Sequence, residues 1–303
     1  MTAEADAHAR AVLAKAAREN FPVAPRFLPR EWREDLMAVY GYARLVDDIG
    51  DGDLVPGGPD AAYLGLEPDW GSDQGADRLV MLDALEAGLG RVFDRRGPAP
   101  VHPLLRALVP TVRRRGLTPE PFLALIEANR QDQKVRRYDD RGELLGYCEL
   151  SANPVGRLVL AITGTATPER IRHSDDVCTA LQIIEHLQDV AEDLTRDRIY
   201  LPAQDMARFH VSEADLAAPT ANASVRALLA YEAERARLLL MAGEPLVASV
   251  HGRLRLLLAG FTGGGRAALR AIGRAGYDVL PGPPRATKRG QLREVVATLR
   301  REG

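Results

Sequence analysis

Apolar residues along this chain recur mostly at intervals of three and four, the spacing that gives a helix one buried face. Read that way, helices fall roughly over 3–19, 31–48, 77–94, 101–114, 119–130, 141–163, 168–194, 224–250 and 253–275. Period-two alternation, the mark of a half-buried strand, is scarce. Ala, Leu, Arg and Glu, all good helix formers, are abundant. The pattern predicts an all-α protein. Gly263-Gly264-Gly265 reads as a turn between helical segments.

Two stretches interrupt the pattern. From Gly50 to Gly75 the chain carries Gly57, Gly58, Pro59, Gly65, Pro68 and Gly71, and a flexible loop over about residues 50–76 is expected. The 49 residues before it are few for a large core of their own. The loop therefore reads as a cover over a site rather than a linker. From Pro281 onward the chain is rich in Pro and Arg, so residues 281–303 are expected to form a loose tail after one domain over 1–280.

Composition narrows the function classes. At 46% hydrophobic residues the chain can bury a sizeable core and is not mainly disordered. A formal net charge of -2 gives no bulk attraction for a polyanion, so no nucleic acid partner is expected. Cys148 and Cys178 have no metal-type spacing and imply no disulfide framework, which fits a reducing compartment. The first twenty residues carry acidic side chains and lack an apolar core segment, unlike a signal peptide. The most apolar run, Leu238 to Phe261, is broken by Glu244, Pro245, His251, Arg253 and Arg255, too often for a membrane span. A cytoplasmic location is expected.

Two acidic motifs carry the chemistry. In the first, Asp47-Asp48-Ile49-Gly50-Asp51, the residues Leu36, Tyr40, Ala43, Asp47 and Asp51 share a helix stripe roughly 80° wide. Carboxylates continuing an apolar stripe are costly unless paired or metal-bound, although a frayed helix end capping the next loop would look the same. In the second, Gln182, Glu185, His186, Asp189 and Asp193 share a face roughly 100° wide opposite Ile183, Leu187, Val190 and Leu194. Alone this is an ordinary amphipathic helix, and His186 reads as a surface histidine. Together the motifs say more. Aspartates at i and i+4 stand on adjacent turns, and two such helices facing each other would form an oxygen-rich cleft suited to Mg²⁺, with Mn²⁺ as an alternative. Arg44 and Arg198 could grip diphosphate oxygens bidentately, although Arg198 also fits a helix C-terminal cation. Phe21, Tyr40, Tyr42 and Tyr147 could line an apolar cavity or simply be core.

These residues resemble the squalene/phytoene synthase family, the head-to-head prenyl synthases. The two DxxxD motifs correspond to Asp47/Asp51 and Asp189/Asp193, the following arginine-hydrophobic-tyrosine to Arg198-Ile199-Tyr200, and the aromatic, tyrosine and arginine ahead of the first motif to Phe21, Tyr40 and Arg44. Tyr147 and Gly156 match a mid-chain pair, and the likeness runs over about residues 15–280. Within the family the chain looks most like the hopanoid-associated hydroxysqualene synthases, on Glu19-Asn20-Phe21-Pro22-Val23, the run from Ser151 to Val159, and Ala275-Gly276-Tyr277-Asp278-Val279-Leu280.

The resemblance implies an isoprenoid synthase-type helical bundle around a central cavity. It implies an isoprenoid diphosphate substrate, with Asp47, Asp51, Asp189, Asp193 and Tyr147 catalytic. The aspartates and Glu185 would hold metal, and Phe21, Tyr40, Arg44, Gln182, Gln188, Arg198 and Tyr200 would bind substrate. Presqualene diphosphate and water would give hydroxysqualene and pyrophosphate with no NADPH, and no GxGxxG follows a strand. Condensation of two allylic diphosphates is the alternative, and a non-catalytic helical assembly protein the third. Other squalene-pathway enzymes are conceivable partners, and so apolar a product is compatible with peripheral contact at a membrane. Two positions depart from the pattern: Glu185 stands where many relatives carry Asn, and Gln188 where some carry Arg.

Overall fold

A computed structural model describes residues 12–17, 23–54, 58–66 and 74–301. Phe21 and most of the expected helix over 3–19 lie outside the described residues. The described chain is all α, and its only bridge of the β type joins Arg137 and Ile199. It divides into two compact units, Met1–Lys134 with Arg157–Thr165, and Val135–Gly156 with Ala166–Gly303.

The first unit contains α1 (Arg30–Asp51), α2 (Pro59–Tyr63), α3 (Gln74–Phe93), α4 (Pro103–Arg115) and α5 (Glu120–Asp132). Helix α1 packs on α3, α4 and α5, because Leu36, Val39, Tyr42, Leu45, Val46 and Ile49 recur on its inward face, all buried. Fully burying such side chains contributes roughly 1.5–3 kcal/mol each. Tyr42 meets Phe122 edge to face at 5.2 Å and donates its hydroxyl to the Phe122 carbonyl at 2.8 Å. Asp35, wholly buried, accepts from Thr111 at 2.8 Å and Arg115 at 2.6 Å and also pairs with Arg114. Burial acts to raise its pKa and is the largest single influence. The three donors together outweigh it and hold the carboxyl below the ordinary value.

The second unit begins with α6 (Arg141–Ser151) and the start of α7 (Asn153–Ile162), then α8 (Pro168–Gln188) and α9 (Val190–Thr195). Short helices α10 (Ala203–Arg208) and α11 (Glu213–Leu216) lead into α12 (Ala223–Gly243), α13 (Pro245–Ala248), α14 (Gly252–Arg274) and α15 (Lys288–Arg301). Helices α8 and α12 form its spine, with α14 against both.

Four sequence-based expectations need correction here. The helix expected over 141–163 breaks at Ala152, because Pro154 has no N–H to donate and opens α7 instead. Pro245 likewise breaks the one expected over 224–250. The glycine triplet is no turn: Gly263, Gly264 and Gly265 are buried inside α14. A Cβ on Gly263 would stand 2.7 Å from the Val295 nitrogen, so its absence lets α15 press against α14. Finally, residues 288–301 are not loose. They form α15, held by buried Glu294 paired with Arg270 at 2.6 Å and by Arg255 donating to the Leu299 carbonyl at 3.0 Å.

Candidate functional site

The first motif ends α1, whose last carbonyls accept from the Gly52 amide at 3.1 Å and the Asp53 amide at 2.9 Å. Its three aspartates divide into two kinds. Asp48 turns inward, almost fully buried, and pairs with Lys15 at 2.7 Å and Arg44 at 2.7 Å. Arg44 also reaches Asp53 at 3.7 Å, so the arginine expected at diphosphate is engaged with Asp48 of the motif and Asp53 just beyond it. Asp47 is exposed and Asp51 half-exposed. Tyr40 is half-buried two turns earlier on α1.

Asp47 is pushed up to about 7, first by desolvation and next by the charge of Asp51. The Asn129 amide and Arg44 pull the other way. Since Asp47 opens to solvent, water screens part of the desolvation cost. The repulsion between Asp47 and Asp51 is the part that a bound cation would relieve.

Sequence reasoning missed the device that holds this end of α1. Asn129, on α5, donates to its own helix at Leu125 O (3.1 Å) and approaches Asp47 Oδ1 at 3.4 Å. Gln133, four residues on, donates to the Gly50 carbonyl at 2.9 Å. A Cβ on Gly50 would stand 1.8 Å from Asn129 Oδ1, so a side chain there would drive the Asn129 amide from its place beside Asp47. The readable signal was the polar i, i+4 pair Asn129 and Gln133 at the polar C-terminal end of this helix.

The second motif spans a break. The helix expected over 168–194 divides at Asp189, which ends α8 and opens α9. The Asp193 amide still donates to the Asp189 carbonyl at 2.8 Å, so the two motif aspartates keep their i, i+4 relation. Asp189 is pushed up to about 6, by desolvation first, then by Asp193 and Glu192, with His186 and Arg285 opposing. Glu185 is exposed on α8, one residue before His186.

Around Asp193 the structure gathers most of the remaining expected residues of this unit. His186 is no surface histidine: its side chain is 11% exposed and stacks on Tyr200 at 3.7 Å with rings 13° apart. One ring nitrogen lies 3.2 Å from the Gln182 amide and the other 3.8 Å from Asp193. Tyr147 packs on Tyr200 at 5.5 Å and on Tyr138 at 5.6 Å. Arg198 is buried, and its amide donates to the Asp193 carbonyl at 2.9 Å, tying the arginine-isoleucine-tyrosine run to the motif. Gln188 donates to the Pro284 carbonyl at 2.5 Å, and the next residue, Arg285, adds to His186 in favouring the charged form of Asp189. The expected loose tail hid that arginine.

Among the described residues, no group of three or more His, Cys, Asp and Glu side chains is arranged to hold a metal ion. The donor chemistry nevertheless fits a hard divalent cation. Each unit offers a carboxylate pair in which one member's pKa is raised partly by the other's charge, all oxygen, and Mg²⁺ keeps several waters and needs few protein ligands.

Comparison with known proteins gives one answer. A family model described as squalene/phytoene synthase matches residues 14–293. The chain is similar to the hydroxysqualene synthase of Rhodopseudomonas palustris, 35% identical over 234 residues, 77% of this chain and 71% of that one. It is also similar to the phytoene synthase of Arthrospira platensis, 31% identical over 250 residues, 78% of this chain and 74% of that one. Among solved structures, the squalene synthase HpnC from Alicyclobacillus acidocaldarius superposes with a TM-score of 0.75 at 38% identity, covering 91% of this chain and 97% of that one. With an all-α fold and both DxxxD motifs in place, the chain belongs to the squalene/phytoene synthase family.

Proposed function

We propose that this protein is a hydroxysqualene synthase-like enzyme of squalene and hopanoid biosynthesis, converting presqualene diphosphate and water to hydroxysqualene and pyrophosphate. The carrying observation is that each DxxxD motif keeps two carboxylates at i and i+4, where burial first and the partner's charge second push one of them up, to about 7 at Asp47 and about 6 at Asp189. Mutual repulsion within both pairs is what a site kept for divalent cations requires. The likeness to hydroxysqualene synthases at 33% and 35% identity supports this choice of substrate.

In this reading Asp47, Asp51, Asp189 and Asp193, with Glu185, would hold Mg²⁺ or Mn²⁺. When bound, such a cation supplies Lewis-acid neutralisation of the diphosphate. Asn129 keeps the Asp47 carboxyl oriented, and Asp48 keeps Arg44 near the motif. Arg198 and Arg285 offer guanidinium groups to the leaving pyrophosphate. The C–O bond breaks with its electron pair leaving on pyrophosphate, and the cyclopropylcarbinyl cation rearranges beside the aromatic cluster that contains Tyr147 and Tyr200. Water then bonds to the cation, and its surplus proton goes to the departing pyrophosphate. Apolar walls delay that capture until rearrangement is complete. No NADPH enters.

A second reading, a squalene or phytoene synthase condensing two allylic diphosphates, is favoured by the phytoene synthase relative at 31% identity. Incubation with presqualene diphosphate, followed by mass spectrometry, is expected to give hydroxysqualene. Turnover of farnesyl or geranylgeranyl diphosphate without any turnover of presqualene diphosphate would select the second reading. The non-catalytic assembly reading would require no turnover of either, against the presence of all four motif aspartates.

A further inference from the structure

Helices α12, α14 and α15 of the second unit surround a cavity of about 700 Å³ that shares no residue with either acidic motif. Five arginines line it: Arg237, Arg266, Arg270, Arg274 and Arg301. Three of them, Arg266, Arg270 and Arg274, recur at every fourth residue of α14 and form one ladder of like charge. Arg237 is answered by Glu234 at 2.6 Å, Arg270 by Glu294 at 2.6 Å, and Arg266 by Glu244. Arg274 and Arg301 are exposed and pair with no described residue. Tyr277 lines the same cavity. In the run from Ala275 to Leu280, Asp278 accepts from the Ala221 amide at 2.9 Å and pairs with Arg226 at 2.6 Å, while Val279 and Leu280 are buried. Tyr277 has no such anchoring duty. It holds a left-handed backbone with φ of 59°, costly for a bulky residue, and its hydroxyl makes no hydrogen bond to a described residue. A Cβ on Gly273 would stand 3.8 Å from that hydroxyl oxygen, so the phenol lies over the stretch of α14 between Arg270 and Arg274.

We infer that this cavity is a second, metal-independent binding site for a soluble diphosphate ester. Arg270, Arg274 and the Tyr277 hydroxyl meet the phosphates, and the organic part lies against Ala230, Ala233 and Leu240 of α12. A guanidinium presents its N–H groups as a fork that matches phosphate oxygens, and Arg270 keeps donors beyond those facing Glu294. A diphosphate ester carries about three negative charges near neutral pH, enough to offset the unanswered cations of the lining. The cavity falls within the range of small-molecule sites, roughly 300–1,000 Å³, and two phosphates alone would leave its apolar wall unused. Here cations face the ligand directly, whereas the acidic motifs present carboxylates that need a divalent cation between. The inference does not depend on the reaction proposed above.

Isothermal titration of the full chain in EDTA tests it, because chelation removes the cations through which the acidic motifs would hold a diphosphate. The probes are ADP and dimethylallyl diphosphate, which differ in their organic part, with inorganic phosphate for comparison. One saturable site is expected, with inorganic phosphate bound at least about tenfold more weakly than the better ester. Arg274→Gln should weaken ester binding about tenfold, and Tyr277→Phe about threefold. Arg274→Lys keeps the charge but not the fork and should recover only part of the loss. Asp189→Asn should leave metal-free binding as it is in the parent. Arg274 is exposed and pairs with no described residue, so its variants are expected to keep the parent's thermal midpoint. No ester binding by the parent, inorganic phosphate bound as tightly as the esters, or an unchanged affinity in Arg274→Gln would overturn the inference. So would a loss of metal-free binding in Asp189→Asn, which would put the ligand at the acidic motif.

Discussion

Within the first motif, adjacent aspartates have opposite duties, and substitution should separate them. Asp48 is buried between Lys15 and Arg44, so Asp48→Ala leaves two cations without their shared partner. Breaking one side of a buried ion pair typically costs about 3–5 kcal/mol, and a lowered thermal midpoint is the expected result. Asp47→Asn, by contrast, removes a charge that Asp51 repels, and metal-free stability should hold or rise slightly. A metal-free melting series over the two variants checks the contrast; equal midpoints would refute the division. Gly50→Ala forces Asn129 away from Asp47 and is expected to destabilise by about 1–3 kcal/mol as an overpacked contact. The sequence made Asp47, Asp51, Asp189 and Asp193 legible because their i, i+4 spacing is a geometric statement. It did not show that Asp48 faces inward or that Asn129 closes on Gly50, since both depend on which side of α1 meets α5.

Helix positions were readable from periodicity, and helix ends less so. Pro154 and Pro245 broke two long helices where an apolar run seemed continuous, because a lost N–H weighs more locally than the pattern around it. The tail was misread for a related reason. Its packing face is Glu294 and Thr298, which no hydrophobic count detects, and the partner that makes a buried glutamate tolerable, Arg270, sits on another helix. A second buried carboxylate makes a prediction for the α10–α12 contact. Arg235 pairs with Asp205 at 2.7 Å and with Glu232 at 3.1 Å. Burial first, with the neighbouring Asp205 opposing ionisation, pushes Glu232 up to about 7. The folded state therefore binds more protons than the unfolded one between the ordinary glutamate range and about pH 7. Stability contributed by that proton is present below this window and is lost as pH rises through it. Glu232→Gln should flatten this slope, with a gain at pH 8 on the order of 1–3 kcal/mol relative to the parent. Denaturant melts at pH 5 and pH 8 measure it, and an unaltered pH dependence would remove Glu232 as the cause.

For the molecule as a whole, helical periodicity set the class correctly: the described residues are all α. Family membership rested on two motifs far apart in sequence, and the match over residues 14–293 agrees with the reach of about 15–280 read from the residues. What the chain does with its two carboxylate pairs is best tested by pyrophosphate release from presqualene diphosphate at increasing Mg²⁺. The parent protein, Asp47→Asn and Asp189→Asn should be compared at equal folded concentration. The account predicts release that requires Mg²⁺ in the parent and falls by about 10²–10³-fold in each variant, as for loss of a group that stabilises the leaving charge. Release independent of Mg²⁺, or either variant within about threefold of the parent, would contradict it.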